Sequence, residues 1–213
     1  MAQNSNDSEW QTADHALAYL SRADKLPHRV EGEHALLDLL PNPCRRVLDL
    51  GTGDGRLLSL VLLACPDAKG VALDFSEPMI EKATARFKDN PRVQIVKHDF
   101  SLPLPNLGTF DAVVSSLAIH HLEDPRKKQL YTEIYAALNP NGAFCNLEHV
   151  SSPTPTLHSR FIASIGQTPQ TEDPSNKLLD VETQLEWLRQ IGYIDVDCSW
   201  KWLEVALLSG YNP

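Results

Sequence analysis

Three glycines at alternate positions, Gly51, Gly53 and Gly55, stand between two apolar runs at residues 47–50 and 57–63. Glycine accepts positive φ and lets a ligand approach the backbone where a Cβ would block it. A helix opening after such a turn offers unpaired N–H groups to that ligand. This is cofactor-binding chemistry. Asp74 ends the next apolar run, 23 positions beyond Gly51. At that spacing an acid at a neighbouring strand tip can accept from two vicinal ribose hydroxyls. His120 with His121, and Glu148 with His149, end two later apolar runs. Imidazole titrates near neutral pH, so His120 and His121 are candidate general bases, with Glu148 as a third catalytic candidate.

Several ligands compete for the glycine turn. A dinucleotide fingerprint spaces its glycines as G-x-G-x-x-G. Here the spacing is G-x-G-x-G, and Arg56 stands where the third glycine would be. A phosphate-binding P-loop needs Lys followed by Ser or Thr, and this turn has neither. The bland alternative is a βα turn with no ligand.

The run Asp49-Leu50-Gly51-Thr52-Gly53-Asp54-Gly55 resembles the first motif of class I S-adenosylmethionine-dependent methyltransferases. Leu73-Asp74-Phe75-Ser76-Glu77-Pro78-Met79-Ile80 resembles the second, His98-Asp99-Phe100 the third, and the stretches at 110–122 and 138–144 the fourth and fifth. The resemblance implies S-adenosyl-L-methionine as cofactor, held by Asp49, Gly51, Thr52, Gly53, Asp54 and Gly55. It implies Asp74 on the ribose, Phe75 and Met79 beside the adenine, Asp99 on the adenine amino group and Phe100 on its ring. Ser115 and Ser116, ending the fourth strand, join the cofactor set. In the family the leading helices lie over the cofactor pocket, which makes Tyr19, Arg22 and Arg29 candidates for its outer wall; the alternative for these is ordinary surface.

Periodicity gives the elements that position these groups. Strands are expected at residues 45–50, 69–74, 92–97, 110–116 and 143–149, alternating with helices. Residues 1–10 read as a polar lead, and helices are expected at 11–20 and 30–40, the second closed by Pro41 and Pro43. Residues 139–142, Asn-Pro-Asn-Gly, read as a turn. Residues 151–180 are rich in breakers and are expected to form a lid, with Leu157, Phe161 and Ile162 on the acceptor wall beside Leu117 and Ile119. Asp180 should cap a helix that Gly192 ends. Strands at 193–200 and 202–208, turning near Lys201, would close the sheet. The expected fold is α/β: a doubly wound, seven-stranded, mostly parallel, Rossmann-like sheet with an antiparallel terminal hairpin. The organisation expected is a helical cap at 1–40 and a methyltransferase domain at 41–213.

Composition narrows the function. With 213 residues, 42% hydrophobic and 22% charged, the chain suits one domain with a real core. A net charge of −9 argues against a broad nucleic-acid-binding face. The one basic cluster beyond the first helices, Arg126-Lys127-Lys128, is expected to point to solvent. The four cysteines are scattered without a C-x-x-C pair, so neither metal nor disulfide chemistry is expected. No apolar run is long enough to span a membrane, and the first residues do not read as a signal peptide, so a cytoplasmic chain, monomer or homodimer, is expected. The reaction expected is methyl transfer to an O or N atom of a small molecule. Two alternatives stand: an enzyme resembling those of the tRNA wobble-uridine pathway, and a non-catalytic cofactor-binding scaffold.

Overall fold

The structure is a computed structural model that describes residues 26–213. The helix expected at 11–20, with Tyr19 and Arg22, lies outside the described residues. In chain order the elements are α1 (Arg29–Asp38), β1 (Arg46–Leu50), α2 (Arg56–Ala64), β2 (Lys69–Asp74), α3 (Glu77–Arg86) and β3 (Val93–Lys97). Then come β4 (Phe110–Ser116), α4 (Asp124–Ala137), β5 (Leu138–His149), α5 (Pro155–Ser164), α6 (Val181–Ile191), β6 (Ile194–Trp202) and β7 (Val205–Tyr211). The strands form one sheet of order β3-β2-β1-β4-β5-β7-β6. Strands β1 to β5 pair in parallel, and β7 runs antiparallel to both β5 and β6. This is the doubly wound sheet with a terminal hairpin that the sequence implies.

The central strands are apolar along their length because helices cover both faces. On one face Val47, Val114 and Leu147 pack against Leu36 of α1, Leu58 and Val61 of α2, and Phe161 of α5. On the other, Leu48, Val113 and Phe144 pack against Tyr131 of α4 and Leu188 of α6. The strand order reverses between β1 and β4, and in such sheets ligands bind at that switch point, beyond the strands' carboxyl ends.

Four local expectations are corrected. Strand β5 starts at Leu138, so residues 139–142 belong to the strand. The terminal hairpin turns at Leu203 and Glu204, not near Lys201; Leu203 takes φ 49° and Glu204 is wholly buried. Two of the three residues in the basic cluster, Arg126 and Lys127, do not point to solvent. Lys127 is buried, donating to Asp124 Oδ1 at 2.8 Å and to the Lys177 carbonyl, while Arg126 holds Glu133 at 2.6 Å and the Phe100 carbonyl at 2.9 Å.

Residues 151–180 are tied at their base, where Ser151 N donates to Leu179 O at 3.1 Å. Phe161 and Ile162 are only 2% exposed and belong to the core under the sheet, which corrects their placing on an acceptor wall. Asp180 caps α6 by accepting from Thr183 N at 2.8 Å, and Gly192, at φ 120°, ends it.

Candidate active site

The glycine turn joins β1 to α2 with φ of 68°, 57° and 84° at Gly51, Gly53 and Gly55. Only glycine takes such angles without strain. The close approaches differ. A Cβ on Gly51 would stand 2.3 Å from Ala118 Cβ, so the turn presses on the loop after β4. A Cβ on Gly53 would meet nothing closer than Met79 Sδ at 4.0 Å, so the backbone there faces open space. Gly51 N and Thr52 N donate to Leu73 O at 2.9 and 3.0 Å, and Gly53 N donates to Asp74 Oδ2 at 2.8 Å. The turn is thereby stitched to the tip of β2.

Asp49 is buried beneath it and accepts from Thr52 Oγ1 at 2.7 Å. Burial pushes its carboxyl up to about 7, with the Thr52 bond opposing and the nearby Asp74 charge adding. Burial also raises Asp74, against the N–H groups of Ser76, Gly53 and Phe75. Asp74 Oδ1 accepts from Ser76 N at 2.9 Å, and with three N–H donors on the carboxylate one lone pair is left for a further donor. Met79 and Phe100 are buried beside the turn, Phe100 Cε1 lying 3.5 Å from the Gly51 Cβ position. Phe75 is half-buried. Asp99, at the end of β3, accepts from Ser101 N at 2.8 Å.

Other candidates have partners within the fold. Asp54 pairs with Arg86 of α3 and accepts from Arg56 N at 3.2 Å. Ser115 Oγ donates to Leu50 O at 2.9 Å, whereas Ser116 Oγ is buried with no hydrogen-bond partner among the described residues. Arg29 Nε donates to the buried Glu33 at 2.9 Å; Glu33 also receives Arg56 Nε at 2.9 Å and Nη2 at 2.7 Å. Glu33 thus bolts α1 to the first residue of α2.

After β4 the chain turns through Leu117, a non-glycine residue at φ 54°, into a short 3₁₀ turn at Ile119–His121. Positive φ at a leucine is uncommon and costs on the order of 1–2 kcal/mol. It brings Ala118 onto Gly51 and swings His120 over β5. There His120 Nδ1 lies 2.6 Å from Glu148 Oε1. Burial holds His120 well below its ordinary value, with His149 and Lys127 adding to the effect, and burial raises Glu148. Glu148 Oε1 also accepts from His149 N at 2.8 Å, and Oε2 from Asn146 Nδ2 at 3.3 Å. With N–H donors on both oxygens, Glu148 is the acceptor of the pair. His120 Nδ1 then carries the hydrogen and Nε2 the lone pair. The His121 ring lies 4.0 Å from that of His120 between centroids, tilted by 44°, and its Nδ1 lies 2.9 Å from Ser175 Oγ. Burial, with His120 beside it, pushes His121 down to about 3.

Sequence reasoning missed Glu204. Its carboxylate receives His149 Nε2 at 3.1 Å and His158 Nδ1 at 2.9 Å, and His158 Nε2 reaches Glu172 at 3.3 Å. The available signal was an acid directly before the apolar run at 205–208. Among the described residues, no three His, Cys, Asp or Glu side chains are grouped to hold a metal ion, and no helix is long and apolar enough to cross a membrane.

The family model for a methyltransferase domain matches residues 47–142. An uncharacterized methyltransferase of Mycobacterium tuberculosis is 35% identical over 126 residues, 59% of this chain and 60% of that protein. A demethylmenaquinone methyltransferase of Clavibacter sepedonicus is 29% identical over 168 residues, 71% of this chain and 66% of that protein. The match thus spans under two thirds of the length of the mycobacterial relative. In fold, the chain superposes on human N-acetylserotonin methyltransferase in complex with SAM, with a TM-score of 0.71, 18% identity, and coverage of 100% of this chain and 60% of that one. Residues 47–142 thus match a methyltransferase domain, on a fold shared with class I S-adenosylmethionine-dependent methyltransferases, and the cofactor these matches support is S-adenosyl-L-methionine.

Proposed function

We propose that this chain transfers a methyl group to a small-molecule acceptor with an ionisable oxygen or nitrogen, and that His120 is its general base. The observation that carries the reading is the buried His120–Glu148 pair at 2.6 Å, at the carboxyl end of the sheet. Bound S-adenosylmethionine supplies a methyl on a sulfonium, and the positive charge is neutralised in transfer.

The chain's own residues do the rest. The open backbone at Gly53 and the remaining lone pair of Asp74 suit a ribose hydroxyl, and Met79, Phe75, Asp99 and Phe100 suit an adenine. Arg29, on the helix bolted to the cradle, suits the cofactor's carboxylate. His120 Nε2 takes the acceptor's proton as its nucleophilic atom attacks, and Glu148 stabilises the imidazolium that forms. His121 and Ser175 tie residues 151–180 to the same loop, so that segment serves as a lid that keeps water from the base. Placing acceptor and methyl in line is the larger share of the catalysis, and the base removes the proton that would block it.

A second reading concerns the acceptor atom. Relatives include C-methyltransferases of quinone biosynthesis. Ionising a ring hydroxyl makes the adjacent carbon nucleophilic, so the same base would serve a quinol-like acceptor methylated at carbon. The test is to incubate the protein with methyl-labelled cofactor and either a small-metabolite extract or total RNA, then identify the labelled product by mass. Label in small molecules supports the proposal, and the product reports O, N or C. Label only in RNA would overturn it, and no label in either fraction would favour a scaffold.

A further inference from the structure

Tyr131 on α4, Asn146 on β5 and Gln184 on α6 come from three separate elements, and all three are sealed from solvent. Their polar atoms form one chain. Gln184 Nε2 donates to Leu179 O at 3.0 Å and to Asp180 O at 3.3 Å. Those two carbonyls can only accept, so they fix the Gln184 amide with its oxygen toward Tyr131. Tyr131 OH donates to that oxygen at 2.7 Å. The phenol's one hydrogen is then spent, and burial, the main cause, raises its ionisation so that it keeps that hydrogen. Its lone pair can only receive. It receives Asn146 Nδ2 at 3.5 Å, and the same nitrogen donates to Glu148 Oε2 at 3.3 Å. The opposite amide orientation would set Asn146 Oδ1 against a phenol lone pair and a carboxylate. The observed one leaves Asn146 Oδ1 buried with no hydrogen-bond partner among the described residues. A buried unpaired carbonyl is costly, so the orientation is held from outside.

We infer that Gln184, Tyr131 and Asn146 are positioning residues: a one-directional hydrogen-bond chain that starts at the base of the 151–180 segment and fixes the Nδ1–H tautomer of His120 through Glu148. This rests on the reading of His120 as the base. The direction matters because only that tautomer leaves Nε2 free to take a proton. The starting point matters too. Leu179 O also accepts from Ser151 N, so the carbonyl that orients Gln184 is the one that closes the base of the segment. Lys177 N donates to His120 O at 2.9 Å, so the same stretch also holds the histidine's backbone. The base is therefore oriented only while residues 151–180 sit in the arrangement seen here.

The test reads the imidazole directly and needs no acceptor. Protein labelled with ¹⁵N in its histidine rings is examined by ring ¹H–¹⁵N correlation as wild type, Tyr131→Phe and Asn146→Leu. Wild type should show His120 as a single Nδ1–H form across neutral pH. Both variants should show the Nε2–H form appearing beside it. With an acceptor in hand, kcat should fall roughly tenfold while KM for the cofactor stays unchanged, as for the loss of an orienting partner behind a reacting group. If either variant fails to fold, Gln184→Met, at the far end of the chain, takes its place. A wild-type spectrum of the Nε2–H form, or an unchanged His120 signal in the folded variants, would overturn the inference. Loss of the base assignment is seen separately, as full transfer activity in His120→Asn while wild type still shows the Nδ1–H form of His120.

Discussion

His120 Nδ1 and Glu148 Oε1 lie 2.6 Å apart although 28 residues separate them, because parallel strands β4 and β5 end side by side. Burial holds His120 well below its ordinary value, so the imidazole at rest is uncharged. A base must be neutral to act. As pH falls, transfer should therefore persist below the ordinary histidine value of 6.5 and be lost only on passing the lowered His120 value. The pH profile of kcat/KM checks this, and an acid limb centred at 6.5 would contradict it.

Gly51 and Gly53 should respond differently to alanine. Gly51→Ala collides with Ala118 and should lower the melting temperature markedly. Gly53→Ala has room and costs only its positive φ, about 1 kcal/mol, yet its methyl enters the cradle. Its main effect should be weaker cofactor binding. Thermal unfolding alongside calorimetric titration separates the two; equal affinity for Gly53→Ala and wild type would exclude a ligand there.

Asp74→Asn should weaken cofactor binding by about 1.5–3 kcal/mol, the range for a hydrogen bond to a charged group. The amide can still accept at one position, so the Gly53 and Ser76 contacts are partly kept. Calorimetry with S-adenosylhomocysteine measures it. Unchanged affinity would remove Asp74 from the ribose.

His158 joins α5 to Glu204 and Glu172. Burial lowers it, but the Glu204 hydrogen bond and both carboxylate charges outweigh burial and raise it above 6.5. A raised folded value gives stability that is fully present below the unfolded value and lost as pH rises through the folded one. The melting-temperature difference between wild type and His158→Gln should be large on the acid side of 6.5, down to where Glu204 protonates, and should shrink as pH rises above it. A constant difference across that window would show that His158 acts by packing alone.

The central strands were readable because burial on both faces demands apolar runs such as residues 47–50 and 112–114. The cap at Asp180 and the stop at Gly192 were readable because each is a local contact within a few residues. The terminal turn was not. Leu203 has no turn chemistry of its own, yet it takes φ 49° beside the buried Glu204, whose partners His158 and His149 lie 46 and 55 residues away. The same limit hid the burial of Lys127, since its partner at Lys177 O is 50 residues away. Within the site, the glycine turn and Asp74 stood out by spacing, and the histidines by type. That Glu148 backs His120, while Ser175 meets His121, depends on strand pairing and on the path of residues 151–180, which periodicity does not carry.

The most direct test compares wild type with His120→Asn for methyl transfer from labelled S-adenosylmethionine to the acceptor found in the metabolite extract, with calorimetric cofactor binding measured on both. Transfer by His120→Asn should fall by roughly 10²–10⁴-fold, the usual worth of a general base, while its cofactor affinity stays at the wild-type level. Equal transfer by the two proteins, with equal cofactor binding, would contradict His120 as the base of this enzyme.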